Sequence, residues 1–441
     1  MKRMVIAVLA IAALAATALA RPHPPRPDAN DPSAAWLRQH AVALRSVEPS
    51  EDDADLAPIL PLVANARVIA LTDATHGTHE LFALKQRLIP YLVAHANVRT
   101  IALEAPYADF ERVRDYVRNG RGDPSSLIQS SDYFFWDTEE LLGLIRWARA
   151  WNAAGNPPVE IAGIDPFHAN VTAAQVIDFL GRVDADAARS AATAYDCMLR
   201  YGSNPYGYPM TTGGYRQSCH ASVAAVRSSI EANRTAYAAI ASASEVEDAV
   251  HAARNVELGD ELVASGLMDR DRAMAEDVEW LAERSGAGTV LVWGHNEHFG
   301  KQPYTFYDAA GTLSSGAMLT RRYGSGYVAI GRVVGSGTFN AVQYDGPIGR
   351  IRPVTVDAPT SDDWAALFAQ GAASPLLVPL RAPLPSWLSQ KRTMRVAGSG
   401  VVSPAQSMKN LPESLASRFD AVIYLDSSTP TRLRHFPAIG N

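Results

Sequence analysis

The stretch Arg67-Val68-Ile69-Ala70-Leu71-Thr72-Asp73-Ala74-Thr75-His76-Gly77-Thr78-His79-Glu80 decides how the whole chain is read. Its first half, Arg67 to Thr72, is a short apolar run that stops at a polar cluster, the pattern of a buried parallel strand. A helix-like stretch, Leu81 to Ala94, follows. A second strand-like run, Thr100 to Leu103, then ends at Glu104. Strand, turn, helix and strand in that order predict a βαβ unit.

Further along, Glu139 to Trp151 reads as a helix, and Val159 to Ile164 as a third strand ending at Asp165. Val171 to about Arg284 is Ala-rich and mostly helical, interrupted by the Gly/Tyr/Pro-rich stretch 201–216. Thr289 to Trp293 supplies a fourth strand, ending at Gly294-His295, and Tyr327 to Val334 and Phe419 to Leu425 supply more. The fold predicted is α/β, with a central, mostly parallel sheet flanked by helices. A helical region, about 171–285, is inserted between sheet strands. This domain is expected over 51–441. Residues 21–50 precede it as a flexible Pro/Asp-rich leader and an amphipathic helix, Trp36 to Val47.

The 441 residues are 47% hydrophobic and 20% charged, with 30 Gly and 28 Pro. That is ordinary globular usage and excludes disorder throughout or a collagen-like chain. A formal net charge of -6 argues against a general nucleic-acid binder, which carries a basic excess. At the start, Lys2 and Arg3 precede an apolar run, Met4 to Ala15, and then Ala18-Leu19-Ala20. This three-part layout predicts a cleavable signal peptide over 1–20 and a periplasmic or secreted protein. The alternative, a membrane anchor, needs a longer span, and no other run of about 18 apolar residues follows. Export allows Cys197 and Cys219 to pair; two buried thiols are the other reading. A monomer is expected.

Several strands end in chemically capable residues: Asp73 and His76 after the first, Glu104 after the second, Asp165 after the third, His295 and His298 after the fourth. Ligands of open α/β sheets bind at the carboxyl ends of parallel strands. Histidine serves as general base or acid near neutral pH, and a neighbouring carboxylate orients the ring. The natural carboxylates are Asp73 and Glu104. Asp73 has a competing reading as a cap of the next helix. Glu80 reads as an exposed helix residue. Arg270 lies near the start of a helix whose buried stripe is Met274, Val278 and Leu281, and it either enters the cleft or stays at the surface.

No Gly-x-Ser-x-Gly follows any strand, and neither cysteine is placed as a nucleophile. Activated water is therefore the expected attacking group. His76-x-x-His79 and His295-x-x-His298 leave a metal-assisted site open, although neither matches His-Glu-x-x-His. A metal-free site without cofactor is the favoured reading.

Taken together, these segments resemble the erythromycin esterase family. They are Asp73-Ala74-Thr75-His76-Gly77-Thr78-His79-Glu80, Ala102-Leu103-Glu104, Trp136-x-Thr138-x-Glu140 leading to Arg149-x-Trp151-Asn152, and Gly163-x-Asp165. Arg270-Asp271-x-x-Met274-Ala275, Trp293-Gly294-His295-Asn296-x-His298 and Ala421-Val422-Ile423-Tyr424-Leu425-Asp426 follow in family order. The resemblance implies an α/β fold and hydrolysis of a macrolactone or other carboxylic ester without a serine nucleophile. It places catalysis on His76, Glu104, His295 and Asp73, with Arg270, His79 and His298 around a small-molecule substrate. There are departures. The family's Gly-Glu is Thr72-Asp73 here, and its Asn is Asp277.

Overall fold

The computed structural model describes residues 32–50, 52–129, 135–200, 219–265, 269–302, 311–345, 348–371, 373–381, 383–398, 400 and 409–435. The segment read as a signal peptide, the start of the leader and the stretch 201–216 lie outside them.

The strands are β1 (Val42–Ala43), β2 (Val68–Asp73), β3 (Val98–Pro106), β4 (Glu160–Asp165), β5 (Thr289–His295), β6 (Tyr327–Asp345), β7 (Ile348–Val356), β8 (Leu376–Pro379), β9 (Arg392–Val396), β10 (Lys409–Glu413) and β11 (Ala421–Ser428). The main sheet has the order β1-β8-β11-β6-β2-β5-β3-β4, with β7 pairing to β6 outside that row. From β11 to β4 every neighbouring pair is parallel, while β8 runs antiparallel to β11 and to β1. The fold is thus the expected mixed α/β architecture around a mostly parallel sheet. β9 and β10 form a separate two-stranded sheet.

Every residue of β2 and β5 is buried, which explains their unbroken apolar runs: helices cover both faces. Alternation along each strand sorts the side chains. Ile69, Leu71, Ile101, Leu103, Leu291 and Trp293 meet the helices His79–His95 and Glu139–Ala153 on one face. Val68, Ala70, Val290 and Val292 meet Met274, Val278 and Leu281 of the helix Arg270–Arg284 on the other.

The helical region enters between β4 and β5. Its helices Ala169–Val183, Ala185–Ala194, His220–Ala232 and Ala243–Ala264 close around their own core, including Val176, Leu180, Val223, Ile230 and Val256. Cys197 and Cys219 are joined by a disulfide and pack against this core.

Two elements differ from the sequence reading. The N-terminal helix is Pro32–His40, not Trp36 to Val47, because Val42 and Ala43 are drawn into a ladder with Leu377 and Leu376. It buries Ser33, Ala34 and Leu37, so residues 32–50 are part of the packed structure. Secondly, β6 continues through Gly335-Ser336-Gly337 to Asp345 and turns back as β7.

Between β2 and the next helix the chain makes a tight turn at Gly77, whose carbonyl accepts from the N–H groups of Asn340 and Thr431, both at 2.9 Å. A Cβ on Gly77 would lie 1.8 Å from the Asn340 carbonyl oxygen, so only glycine fits. Gly77→Ala is predicted to cost roughly 1–3 kcal/mol, the usual range for overpacking, because backbone and not a flexible side chain must move. Urea unfolding of the two proteins measures it, and an unchanged midpoint would contradict the close approach.

Candidate active site

β2, β5, β3 and β4 lie side by side, and their carboxyl ends bring His76, His295, Glu104 and Asp165 to one edge of the sheet. Glu104 lies within β3, at a register irregularity between Leu103 and Pro106. Its carboxylate is buried. Oε2 accepts from the His295 backbone N–H at 2.7 Å, and Oε1 accepts from Arg270 Nη2 at 2.8 Å. Oε1 is also 3.8 Å from His76 Nε2 and 3.6 Å from His298 Nε2. Burial by itself would raise the pKa of Glu104. His298, Arg270, His76 and His295 outweigh it and hold the carboxyl well below the usual range.

Arg270 comes from the helix that precedes β5. Its Nε and Nη2 donate to Asp165 Oδ2 at 3.0 and 2.5 Å, and Nη1 lies 2.9 Å from His298 Nε2. The guanidinium stands over the Phe167 ring and is 19% exposed, so it faces the cleft and not the outer surface.

The two central histidines differ in what their rings touch. His295 Nε2 lies 3.2 Å from both the Ala74 and Ala397 carbonyl oxygens, so it carries the proton and donates. Its Nδ1 accepts from the Glu297 N–H at 3.3 Å. Both nitrogens are occupied. His76 is stacked on Phe135 with ring centroids 4.8 Å apart, and Trp136 and His295 border it. Its Nε2 turns toward Glu104, and its buried Nδ1 has no hydrogen-bond partner among the described residues. Burial on this aromatic bed lowers the His76 pKa to about 3, against the pull of Glu104.

His298 completes the cluster. Its Nδ1 is 2.9 Å from Asp271 Oδ2. Burial opposes its protonation, but Asp271 and Glu104 raise its pKa above the ordinary imidazole value. His79 is elsewhere. Its Nδ1 pairs with Glu140 at 2.5 Å and its Nε2 with Glu48 at 2.7 Å, with Arg432 alongside. It fastens the start of its helix to the neighbouring helix and the C-terminal segment. Glu80 accepts from the N–H and hydroxyl of Thr429 in the same seam.

Asp73 also leaves the cleft. It neither touches His76 nor caps the next helix, which begins after Thr78. It is fully buried, its Oδ1 bonded to Lys85 Nζ and its Oδ2 accepting from Trp293 Nε1 at 2.7 Å. The shorter side chain of Asp matches this inward partner. Asp277, the second departure, pairs inside the helical layer with His251 and Asn255, each at 3.0 Å. The functional residues missed in the sequence are Asp271, Phe135 and Phe167. Asp271 stands beside Arg270 in the same motif, and that adjacency was the available signal.

Among the described residues no group of three or more His, Cys, Asp or Glu side chains is arranged to hold a metal ion. No helix among them is long and apolar enough to cross a membrane.

A family model for erythromycin esterase matches residues 93–428. The chain belongs to the erythromycin esterase family. Erythromycin esterase type II of Escherichia coli is 21% identical over 320 residues, covering 67% of this chain and 75% of that one. A crystal structure of a Bacillus cereus protein superposes with a TM-score of 0.79 at 23% identity, over 93% of this chain and all of that one. The erythromycin esterase EreC, solved as a mutant in its open conformation, gives a TM-score of 0.69 at 17% identity, over 88% and 98% of the two chains. These structures share the fold. Family membership supports a hydrolase.

The His76 environment generates a pH prediction. The unfolded chain protonates this ring near pH 6.5, while the folded chain keeps it neutral down to about 3. Between those values the unfolded state binds the extra proton, so the contribution of His76 lowers stability as pH falls. His76→Gln is expected to flatten the acid limb of stability between pH 6.5 and 3 relative to wild type. Urea unfolding at several pH values tests this; parallel limbs would refute it.

Proposed function

We propose that this protein is an exported hydrolase that cleaves carboxylic esters, lactones included, with water activated by His76. The observation that carries this reading is the contrast between the two central histidines. His295 has both ring nitrogens engaged, whereas His76 keeps Nδ1 uncommitted and has a carboxylate beside Nε2.

In this mechanism His76 takes a proton from water as the oxygen attacks the ester carbonyl carbon. Glu104 offsets the charge of the imidazolium, as a triad carboxylate does. Arg270, held by Asp165 and Glu104, sets a fixed positive charge where the carbonyl oxygen becomes negative. His295 acts as scaffold: its backbone N–H holds Glu104 and its ring ties the end of β5 to Ala74. Asp73 acts from beneath, bracing β2 against Lys85. The relative named as an erythromycin esterase makes macrolide lactones the first substrates to try. The Ala18-Leu19-Ala20 pattern supports work outside the cytoplasm.

The test is mass spectrometry of a panel of macrolides, simpler lactones and linear esters after incubation, reading the gain of one water. His76→Ala is expected to reduce turnover by about 10²–10⁴, the usual loss of a general base. Near-normal turnover would remove His76 from this role. Because burial holds its pKa far below 6.5, the acid limb of kcat/KM is expected below pH 5. A limb centred near 6.5 would point to a different base.

Asp73→Asn separates scaffold from chemistry. It leaves Lys85 charged and buried with its partner gone, and is predicted to cost about 3–5 kcal/mol. Asp73→Leu combined with Lys85→Met, by removing both charges, should recover most of that stability and retain turnover. A stable but inactive double variant would return Asp73 to the catalytic set.

A further inference from the structure

Asp271 is buried at the first turn of the helix Arg270–Arg284, and nothing in the mechanism above uses it. Three groups fix its carboxylate. Oδ1 accepts from the Ser315 N–H at 2.8 Å and from the Ser315 hydroxyl at 2.9 Å, and both oxygens lie within 3.1 Å of His298 Nδ1. Ser315 begins the helix Ser315–Tyr323, so the carboxylate is held by a rigid element on the side away from the cleft.

This arrangement decides which nitrogen of His298 meets the substrate. Nδ1–H donates to Asp271 whether the ring is neutral or charged. Only Nε2 changes state. When neutral it accepts from Arg270 Nη1 at 2.9 Å; when protonated it has Glu104 Oε1, 3.6 Å away, as its acceptor. The groups facing this ring are Asp271 and Arg270 from one helix, Glu104 from β3, and the rings of His295 and Phe299 at 6.4 and 6.5 Å.

We propose that Asp271, anchored by Ser315, is a positioning residue that fixes the His298 tautomer and makes His298 Nε2–H the proton donor to the departing alkoxide. The inference rests on the ester-hydrolase reading and deepens it. Water adds to the carbonyl carbon as His76 takes its proton. The bond from that carbon to the alcohol oxygen then breaks, and that oxygen takes the Nε2 proton of His298. The acid and alcohol leave, and His76 and His298 return to their starting states by exchange with solvent. The proton matters in proportion to the basicity of the leaving oxygen. An alkyl alcohol needs it, whereas a nitrophenolate departs without it. The raised pKa of His298 keeps the donor form populated near neutrality.

Two measurements test this. Histidine-labelled NMR of the wild type should show the neutral His298 ring carrying its proton on Nδ1. Asp271→Asn should move its pKa down by about one unit or more, since the largest stabilising charge is lost. A neutral ring protonated on Nε2, or a titration unmoved by the substitution, overturns the assignment. Secondly, alkyl and p-nitrophenyl esters of the same acid are compared. Asp271→Asn should lower kcat at least about 10-fold on the alkyl ester and less than about 3-fold on the aryl ester, and shift the alkaline limb of the alkyl profile downward. Equal losses on both esters would mean a structural role. If Asp271→Asn does not fold, the wild-type spectrum still decides the tautomer. If wild type turns over no ester while the spectrum holds, it is the ester-hydrolase reading that fails.

Discussion

A single buried carboxylate, that of Glu104, ties the carboxyl edge of the sheet together. A charge removed from water must be repaid by nearby donors and opposite charges. Glu104 obtains them from three separate parts of the chain: the His295 backbone on β5, the Arg270 guanidinium, and the imidazoles of His76 and His298. Each partner is thereby placed. Close approach of β5 is part of the arrangement, since a Cβ at Gly294 would lie 3.0 Å from Glu104 Oε2. Asp165 extends the cluster by fixing the far side of Arg270.

The cleft is chemically asymmetric. On one wall Phe135 and Trp136 strip water from His76 and favour its neutral form. On the other, Asp271 and Glu104 favour the charged form of His298. Two rings of the same type, joined through one carboxylate, are driven in opposite directions, which is how acid and base roles are divided within one site. Beneath them Asp73, Lys85 and Trp293 form a buried layer that carries β2 and β5. Burial brings the Lys85 pKa down to about 7 despite its carboxylate partner, a measure of how dry this layer is.

Legibility from sequence varied with the range of the interaction. The βαβ order around Arg67–Thr72 was plain because burial on both faces writes itself as an unbroken apolar run. The strand ends carrying His76, Glu104, Asp165 and His295 were equally plain, because polar residues must follow where the sheet stops. The tail of β6 was hidden: Gly335-Ser336-Gly337 has the composition of a turn, yet it continues along β11, with Ser336 opposite Ser427. The helix at Pro32–His40 was displaced because the residues after it were claimed by a strand more than 330 positions away.

The sequence by itself determined the fold class, the helical region between β4 and β5, and the set of side chains delivered to one edge. These follow from local periodicity and from the polarity of strand ends. Tertiary structure alone decided which carboxylate serves which base. Asp73 lies three residues from His76, yet its carboxylate turns inward to Lys85. Glu104, 28 positions farther along, lies beside the ring instead. His79 shares a motif with His76 but is drawn off to Glu48 and Glu140. Sequence spacing fixes the direction of a side chain along its own element. Its partner is set by where distant strands come into register, and a buried charge takes the partner that register supplies.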